Sequence, residues 1–353
     1  MSAPERTGTW MPVAALPRIA AARLVRAACV VALAMAVVAL PAAAGAQSRA
    51  LIISGLGGEP RFAERFRNLA QSLATALHAR FGVSDANIAW LGEDESFKDA
   101  HYKGQSTKVA IEREVKAIQA SARPGDPVAI FLIGHGAGNE AESRISLPGP
   151  DLTVTDLQRL LDGLSAQRVA LVNLTSASGD MLPLLAAPGR VVITATKTSY
   201  ERNESHFAEH FVAAFAGDVA DTDKDGRVSL LEAYRYAVRE TKRGYDDAGK
   251  IQTEHSQLSD NGSKQGAADP TGRDGTGVLA RRWFFDSRAP GGASADARVA
   301  GLYSEKFALE DQVDSLRMKK AAMDAATYEA ELERVLVALS RKAREIRQAE
   351  GRP

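Results

Sequence analysis

Pro127-Val-Ala-Ile-Phe-Leu-Ile133 is an unbroken apolar run that ends on Gly134-His135-Gly136. So short a run with no polar interruption reads as a β-strand buried on both faces, the environment of a parallel sheet's interior. Four further segments read the same way: Ala50–Leu56, Asn87–Leu91, Arg168–Val172 and Arg190–Ala195. Between them, stretches near 61–80, 107–121, 154–164 and 202–216 carry apolar residues at helical spacing. This alternation predicts an α/β fold, a mainly parallel sheet with helices on both faces. Sites in such sheets form beyond the carboxyl ends of the strands. His135 stands at such an end, and so does the hydroxyl cluster Leu174-Thr175-Ser176-Ala177-Ser178-Gly179.

The 353 residues are 45% hydrophobic and 25% charged with zero formal net charge, enough apolar material for one large domain or two smaller ones. No lysine or arginine cluster of the kind that tracks phosphates is present, which argues against nucleic acid as a partner. Arg18, Arg23 and Arg26 precede the apolar run Ala27–Leu40, and Pro41-Ala-Ala-Ala44-Gly45-Ala46-Gln47 has a small-x-small pattern. Residues 1–46 therefore read as a signal peptide cleaved after about Ala46, giving a periplasmic or secreted chain with no membrane span; an uncleaved membrane anchor is the competing reading. The single cysteine, Cys29, lies inside this segment, so the exported chain would contain no thiol, no disulfide and no thiolate metal site.

Asp221-Thr-Asp223-Lys-Asp225-Gly226-Arg227-Val-Ser229-Leu-Leu-Glu232 fits the calcium-loop pattern D-x-[DN]-x-[DN]-G-x5-E at every position. A Ca2+ ion takes six to eight oxygens. Asp221, Asp223 and Asp225 would supply carboxylates, Arg227 its backbone carbonyl, Ser229 a direct or water-mediated contact, and Glu232 both carboxylate oxygens. Gly226 permits the sharp turn. Apolar residues at helical spacing flank the loop over His206–Phe215 and Leu230–Val238, so the segment reads as an EF-hand-type helix, loop and helix. Since no second full loop is visible, a staple between two helices is the expected role.

Gly55-Leu-Gly57-Gly58 follows the first strand but lacks the third glycine of a dinucleotide fingerprint, and Pro60 intervenes. Ile251–Gly277 is rich in Gly, Asp, Ser and Asn and reads as a long surface loop, and a last strand is expected within Gly277–Asp286. The main domain is thus 47–286, followed by a linker over 287–300 centred on Pro290-Gly-Gly. In the tail, 301–353, Leu309, Val313 and Leu316 keep one apolar stripe. Leu332, Val335, Leu339, Ala343 and Ile346 resume it after Asp324, a candidate helix N-cap. The tail reads as a helical hairpin or coiled coil, through which self-association is one outcome and packing on the domain another.

From Ala50 to Asp286 the ordered segments "FLIGHG", "TSASG" and "VVITATKTSYERNESHF" resemble the caspase and legumain superfamily of cysteine peptidases, its bacterial legumain-like members above all. An acidic calcium-type loop and a Thr253-Glu254-His255 segment add to the likeness. The resemblance implies a catalytic histidine at His135 and a cysteine in the turn after the next strand. With Ser178-Gly179 as the anchor, Ser176 stands where that cysteine belongs and Leu174 where an acidic residue belongs. A hydroxyl is far less acidic than a thiol of pKa about 8.5 and needs a tightly coupled base.

Two functional readings follow. One is a non-catalytic scaffold or binding protein, calcium-stapled, that engages a peptide or protein partner through its strand-end loops and its C-terminal helices. The other is a hydrolase in which Ser176, or Thr175, attacks with His135 as base. No carboxylate is evident to orient His135, since Glu140 and Glu142 sit in a Gly-Asn-Glu loop. Glu254 and His255 read as solvated loop residues, with a metal-binding or site-lining role as the weaker alternative.

Overall fold

The computed structural model describes residues 47–138, 142–164, 167–222, 227–272, 275–285, 297–320 and 323–349. The expected signal peptide 1–46, Asp223, Asp225, Glu140 and the centre of the linker lie outside the described residues.

The strands are β1 (Arg49–Ser54), β2 (Ile88–Gly92), β3 (Tyr102–Gln105), β4 (Pro127–Ile133), β5 (Gly136–Ala137), β6 (Arg144–Ile145), β7 (Leu152–Thr153), β8 (Arg168–Asn173), β9 (Pro188–Thr194) and β10 (Gln257–Asn261). The main sheet has seven strands in the order β10-β9-β8-β4-β1-β2-β3. All neighbours are parallel except β10, which runs antiparallel to β9. β5, β6 and β7 form a separate small antiparallel sheet.

β4 lies between β1 and β8, paired along its length to both, and this explains its unbroken apolar sequence. Alternate residues face opposite sides. Ala129, Phe131 and Ile133 join one core, and Val128, Ile130 and Leu132 join the other. The first core is covered by α1 (Pro60–Ala79), α5 (Phe207–Ala216) and α6 (Leu230–Asp247), through Phe66, Leu73, Phe211, Phe215 and Tyr234. The second lies under α2 (Lys108–Ser121), α3 (Val154–Asp162) and α4 (Leu182–Leu185), through Ile111, Val115, Leu157 and Leu161. Local sequence starts these helices. The Thr107 hydroxyl accepts from Ala110 N at 3.2 Å at the head of α2, and Thr153 with Asp156 makes a capping box for α3. Chain order reverses at β1: β2 and β3 are added on one side, β4, β8 and β9 on the other. The crevice between the ends of β1 and β4 is thus the topological switch point, and His135 sits on it.

The sheet has two strands that the apolar pattern does not reveal. β3 is a polar edge strand of sequence YKGQ. β10 lies inside the segment expected to be loop, and its Asp260 is buried because it accepts from Gly277 N at 2.8 Å and Ala280 N at 2.9 Å, heading α7 (Val278–Arg281). No strand forms over 277–285. Trp283 and Phe285 do alternate inward into the first core, but their backbone meets α6 rather than a strand, with Leu230 N bonded to Trp283 O at 3.0 Å.

α5 starts at Phe207, not near 202, and Glu254 is the reason. Its buried carboxylate accepts from the Ser205 hydroxyl at 2.9 Å, His206 N at 2.8 Å and Phe207 N at 3.2 Å. Glu254 is therefore a helix cap delivered from afar, which corrects its reading as a solvated loop residue. His255 is exposed and holds Glu201, Nδ1 to Oε1 at 2.6 Å.

The tail is a helical hairpin, α8 (Ala297–Lys319) and α9 (Ala325–Ala349). α8 begins inside the expected linker. Val299, Tyr303 and Ile346 form its own small core, Lys342 pairs with Glu305 at 2.5 Å, and Asp324 caps α9 by accepting from Thr327 N at 2.9 Å. The start of α8 thus meets the end of α9, an antiparallel arrangement.

Replacing Glu254 by alanine strands several N–H and O–H donors in the interior, and a loss on the order of 3 kcal/mol is expected. Urea unfolding checks this. Glu254→Gln, which keeps an acceptor, should fall between wild type and Glu254→Ala.

Candidate functional site

Three strand ends converge at the switch point. β1 runs into Gly55, β4 into Gly134 and His135, and β8 into Leu174, Thr175 and Ser176. Gly55 N bonds to Ile133 O at 2.8 Å, and a Cβ on Gly55 would lie 2.4 Å from the Ser146 carbonyl oxygen, so only glycine fits there.

His135 is wedged between two rings of α1. Phe62 and Phe66 meet its imidazole edge-on, with centroids 4.7 Å and 5.0 Å away. Burial among these rings pushes the His135 pKa below its ordinary value; nearby Arg65 acts in the same direction, while a hydrogen bond to the Gly57 backbone and the charge of Glu59 oppose it. The shift favours the neutral imidazole, and the Gly57 backbone is a hydrogen-bond partner that orients the ring.

Ser176 is buried, and its hydroxyl oxygen accepts from Gly136 N at 3.3 Å. The approach is close: a Cβ on Gly136 would stand 2.2 Å from the Ser176 carbonyl oxygen. Ala177, the next residue, has φ +52°, the one left-handed non-glycine among the described residues. Thr175 is turned away, its hydroxyl donating to Asn173 Oδ1 at 2.7 Å. Ser178 is structural, its oxygen accepting from Ala195 N at 3.1 Å and Thr196 N at 3.2 Å.

His135 and Ser176 line one pocket with Arg65, Phe66, Leu174 and Glu204. Its volume is about 10 Å³, no more than a single water molecule needs. Arg65 is occupied: it pairs with Glu204, reaches Glu209 at 3.0 Å and donates to Ser205 O at 2.9 Å. Leu174, at the position where the resemblance expects an acid, makes this pocket's wall apolar.

A larger cavity of about 320 Å³ opens on the other side of Phe66, over the ends of β1 and β2. Trp90, Phe97 and Tyr102 are stacked edge to face around it, with centroids 5.1 to 5.3 Å apart. Glu93 and Asp94 add carboxylates, and Arg67 stands over Phe97 at 5.6 Å. The Tyr102 hydroxyl donates to the Asp94 carbonyl at 2.6 Å, and burial with the charge of Asp94 lifts its pKa to about 12. Gly57 N is taken by Glu93 Oε2 at 3.0 Å, so the glycine-rich turn does not offer that amide to an anion. Sequence reasoning placed His135 and Ser176 together, as the structure does. It missed Phe62, Phe66, the Gly57 backbone and this cavity, all of which follow from the packing of α1 across the switch point.

In the acidic loop, Ser229 and Glu232 form the capping box of α6. Glu232 Oε2 accepts from Ser229 N at 2.9 Å and its hydroxyl at 2.8 Å, while Oε1 accepts from Thr222 N and Oγ1, both at 3.0 Å. The carboxylate thereby ties the second loop position to the ninth. Arg227 lays its guanidinium over Phe284 at 3.5 Å. Flanking helices and an all-oxygen donor set fit a Ca2+ ion, with Asp221, the Arg227 carbonyl, Ser229 and Glu232 as the described residues that would hold it.

No protein-family model matches the chain, and no curated protein matches it. Among solved structures it is similar to the crystal structure of protein GSU0716 from Geobacter sulfurreducens, at 12% identity and TM-score 0.38 over 55% of this chain and 89% of that one. So distant a likeness carries no argument about function.

Because the folded His135 binds its proton less readily than an unfolded histidine of pKa about 6.5, the unfolded state holds more protons below that pH. Its contribution to stability is complete above about pH 6.5 and is lost as pH falls. Melting temperature should drop between pH 7 and pH 5. The drop should be shallower in His135→Gln; an identical slope would remove this histidine as its cause. His210, lowered by burial as well, leaves a residual slope in that variant.

Proposed function

We propose that this chain is an exported, calcium-stapled binding protein of caspase/legumain-like fold, non-catalytic, which takes a side chain of a peptide or protein partner into the cavity beside His135. One observation carries the reading: the pocket that His135 and Ser176 share has a volume of about 10 Å³, whereas the neighbouring cavity has about 320 Å³. A nucleophile needs a reacting carbon roughly 3 Å from its oxygen. Here the Ser176 oxygen is buried against a backbone amide and Leu174 closes the wall. The larger cavity is near the lower end of the size range of small-molecule sites, about 300 Å³. Its aromatic walls and two carboxylates suit a basic side chain.

A serine hydrolase is the second reading, and two observations favour it. The left-handed Ala177 directly after Ser176 is backbone strain of the sort that collects at reactive turns. The Gly57 backbone, a hydrogen-bond partner of His135, supplies an orienting group for the ring.

The readings separate in one experiment. A mixed peptide library is incubated with the protein in saturating calcium, beside the Ser176→Ala variant, while cleavage and Trp90 fluorescence are followed. Binding without cleavage, equal in both proteins and weakened about tenfold or more by Phe97→Ala, is expected. Cleavage that disappears in Ser176→Ala would instead establish the hydrolase.

Calcium has its own test. It should raise the melting temperature, and chelator should reverse the shift. Asp221→Ala should abolish the calcium effect, whereas equal melting curves with and without the ion would remove calcium from the proposal.

A further inference from the structure

At the amino-terminal end of the sheet, opposite the strand-end site, three side chains from separate segments converge. His78 lies in the last turn of α1, Asp85 opens the short turn before β2, and His101 immediately precedes β3. His78 Nδ1 and His101 Nε2 each lie 2.9 Å from the same oxygen, Oδ1 of Asp85, and the three ligand atoms are within 4.8 Å of one another. Behind them, Asp99 faces the second nitrogen of His101 at 3.4 Å and receives its backbone N–H at 2.9 Å, and Gln71 holds the other Asp99 oxygen at 3.1 Å.

The proton count makes this arrangement informative. The His101 side chain is only 8% exposed and has a carboxylate at each ring nitrogen. A neutral imidazole carries one N–H and can satisfy only one of them. If that proton goes to Asp99, the Nε2 lone pair is aimed at the Asp85 oxygen, a contact between two electron-pair donors. His78 is placed differently: its Nδ1 faces both Asp85 Oδ1 and, at 3.2 Å, the Val83 carbonyl, so a metal bound there would take the place of a proton that can serve both. A divalent cation among His78, Asp85 and His101 resolves the His101 contact. It takes the lone pairs of both imidazoles and one carboxylate oxygen, and leaves His101 Nδ1–H to donate to Asp99. A carboxylate behind a ligating histidine is the usual way proteins fix that histidine's tautomer and basicity.

We propose that His78, Asp85 and His101 bind a zinc-type transition-metal dication, with Asp99 as the positioning carboxylate. Two imidazoles and a carboxylate suit zinc better than calcium, which wants oxygens alone. His78 and Asp85 are half-exposed to exposed, so an ion has a path in and water a fourth coordination position. The three ligands tie the end of α1 to the starts of the two outermost strands on that side of the sheet, so the ion's role here is to pin an edge that has no disulfide.

The test is a calorimetric titration of the full chain with Zn2+, with saturating Ca2+ present to keep the acidic loop out of the measurement. Co2+ replaces Zn2+ in a parallel titration read by its visible absorption. One equivalent is expected to bind and to raise the melting temperature. His101→Ala and His78→Gln should each abolish binding or weaken it at least about a hundredfold, and Asp99→Asn should weaken it by about ten- to a hundredfold. His78 is on the surface at a helix end, so its variant reports even if His101→Ala fails to fold. No binding by the wild type, or affinities unchanged in His78→Gln, would overturn the site.

Discussion

The parallel pairing of β1 with β4 is the constraint on which the rest depends. Six residue pairs, from Arg49 with Val128 to Ser54 with Ile133, run between two strands whose faces are buried on both sides. One face is filled by α1, α5 and α6, the other by α2, α3 and α4, so a slip of one residue would exchange the two apolar sets. That register carries the pairing on into the turns, where Gly55 N still bonds to Ile133 O, and so sets the position of His135. Crowding follows from the same source. With three strands ending side by side, the connecting backbones approach until Gly55 and Gly136 have no room for a Cβ.

Crowding also bears on chemistry. Ser176 is close enough to Gly136 to accept its amide proton, and Ala177 must adopt a left-handed conformation to turn the chain. A cysteine here would project a larger, more polarizable atom with a much lower pKa into the same apolar wall. The oxygen is smaller, makes a better hydrogen-bond acceptor and is satisfied by the backbone. A serine so held is stable where it is, and activating it would first require breaking that bond. The cavity over β1 and β2 lies under no such constraint, because the strands there are fewer and the aromatic rings of Trp90, Phe97 and Tyr102 keep the walls apart.

How much of this was legible in the sequence depended on which force acted. The strands defined by burial were read to within a few residues, β4 with its bounds unchanged, because two-sided burial leaves an unbroken apolar run. The helices between them were equally plain from their spacing, and the tail's stripe marked its hairpin. β10 was invisible because its buried Asp260 looks like a loop residue until the N–H groups of Gly277 and Ala280 are seen to satisfy it. Trp283 and Phe285 misled in the opposite way: they alternate like a strand yet have no strand to pair with. Of the site, the histidine and the hydroxyl were visible as residue types at strand ends. The clamp of Phe62 and Phe66 was not, since nothing in a helical stripe says which neighbour its aromatic residues will touch.

Buried or capping acids hold three helices of this chain in place. Glu254 heads α5, Asp260 heads α7, and Glu232 heads α6, each satisfying amides that the helix leaves unpaired and placing negative charge at the positive end of a helix dipole. Of the three, only Glu232 also falls in the calcium-type sequence pattern, and there the two duties would compete. Both of its oxygens are already engaged, one by Ser229 and one by Thr222. An ion that takes both must displace the Thr222 contacts and share the cap, so its stabilising effect is the difference between coordination and the hydrogen bonds given up. Glu232 ties Thr222 to Ser229 by hydrogen bonds, and coordination of the proposed ion through Glu232 would join the same part of the chain in another way. The proposed ion would on this account staple α5 to α6, since the Glu232 bonds to Thr222 and Ser229 already tie the two sides that a switch would have to part.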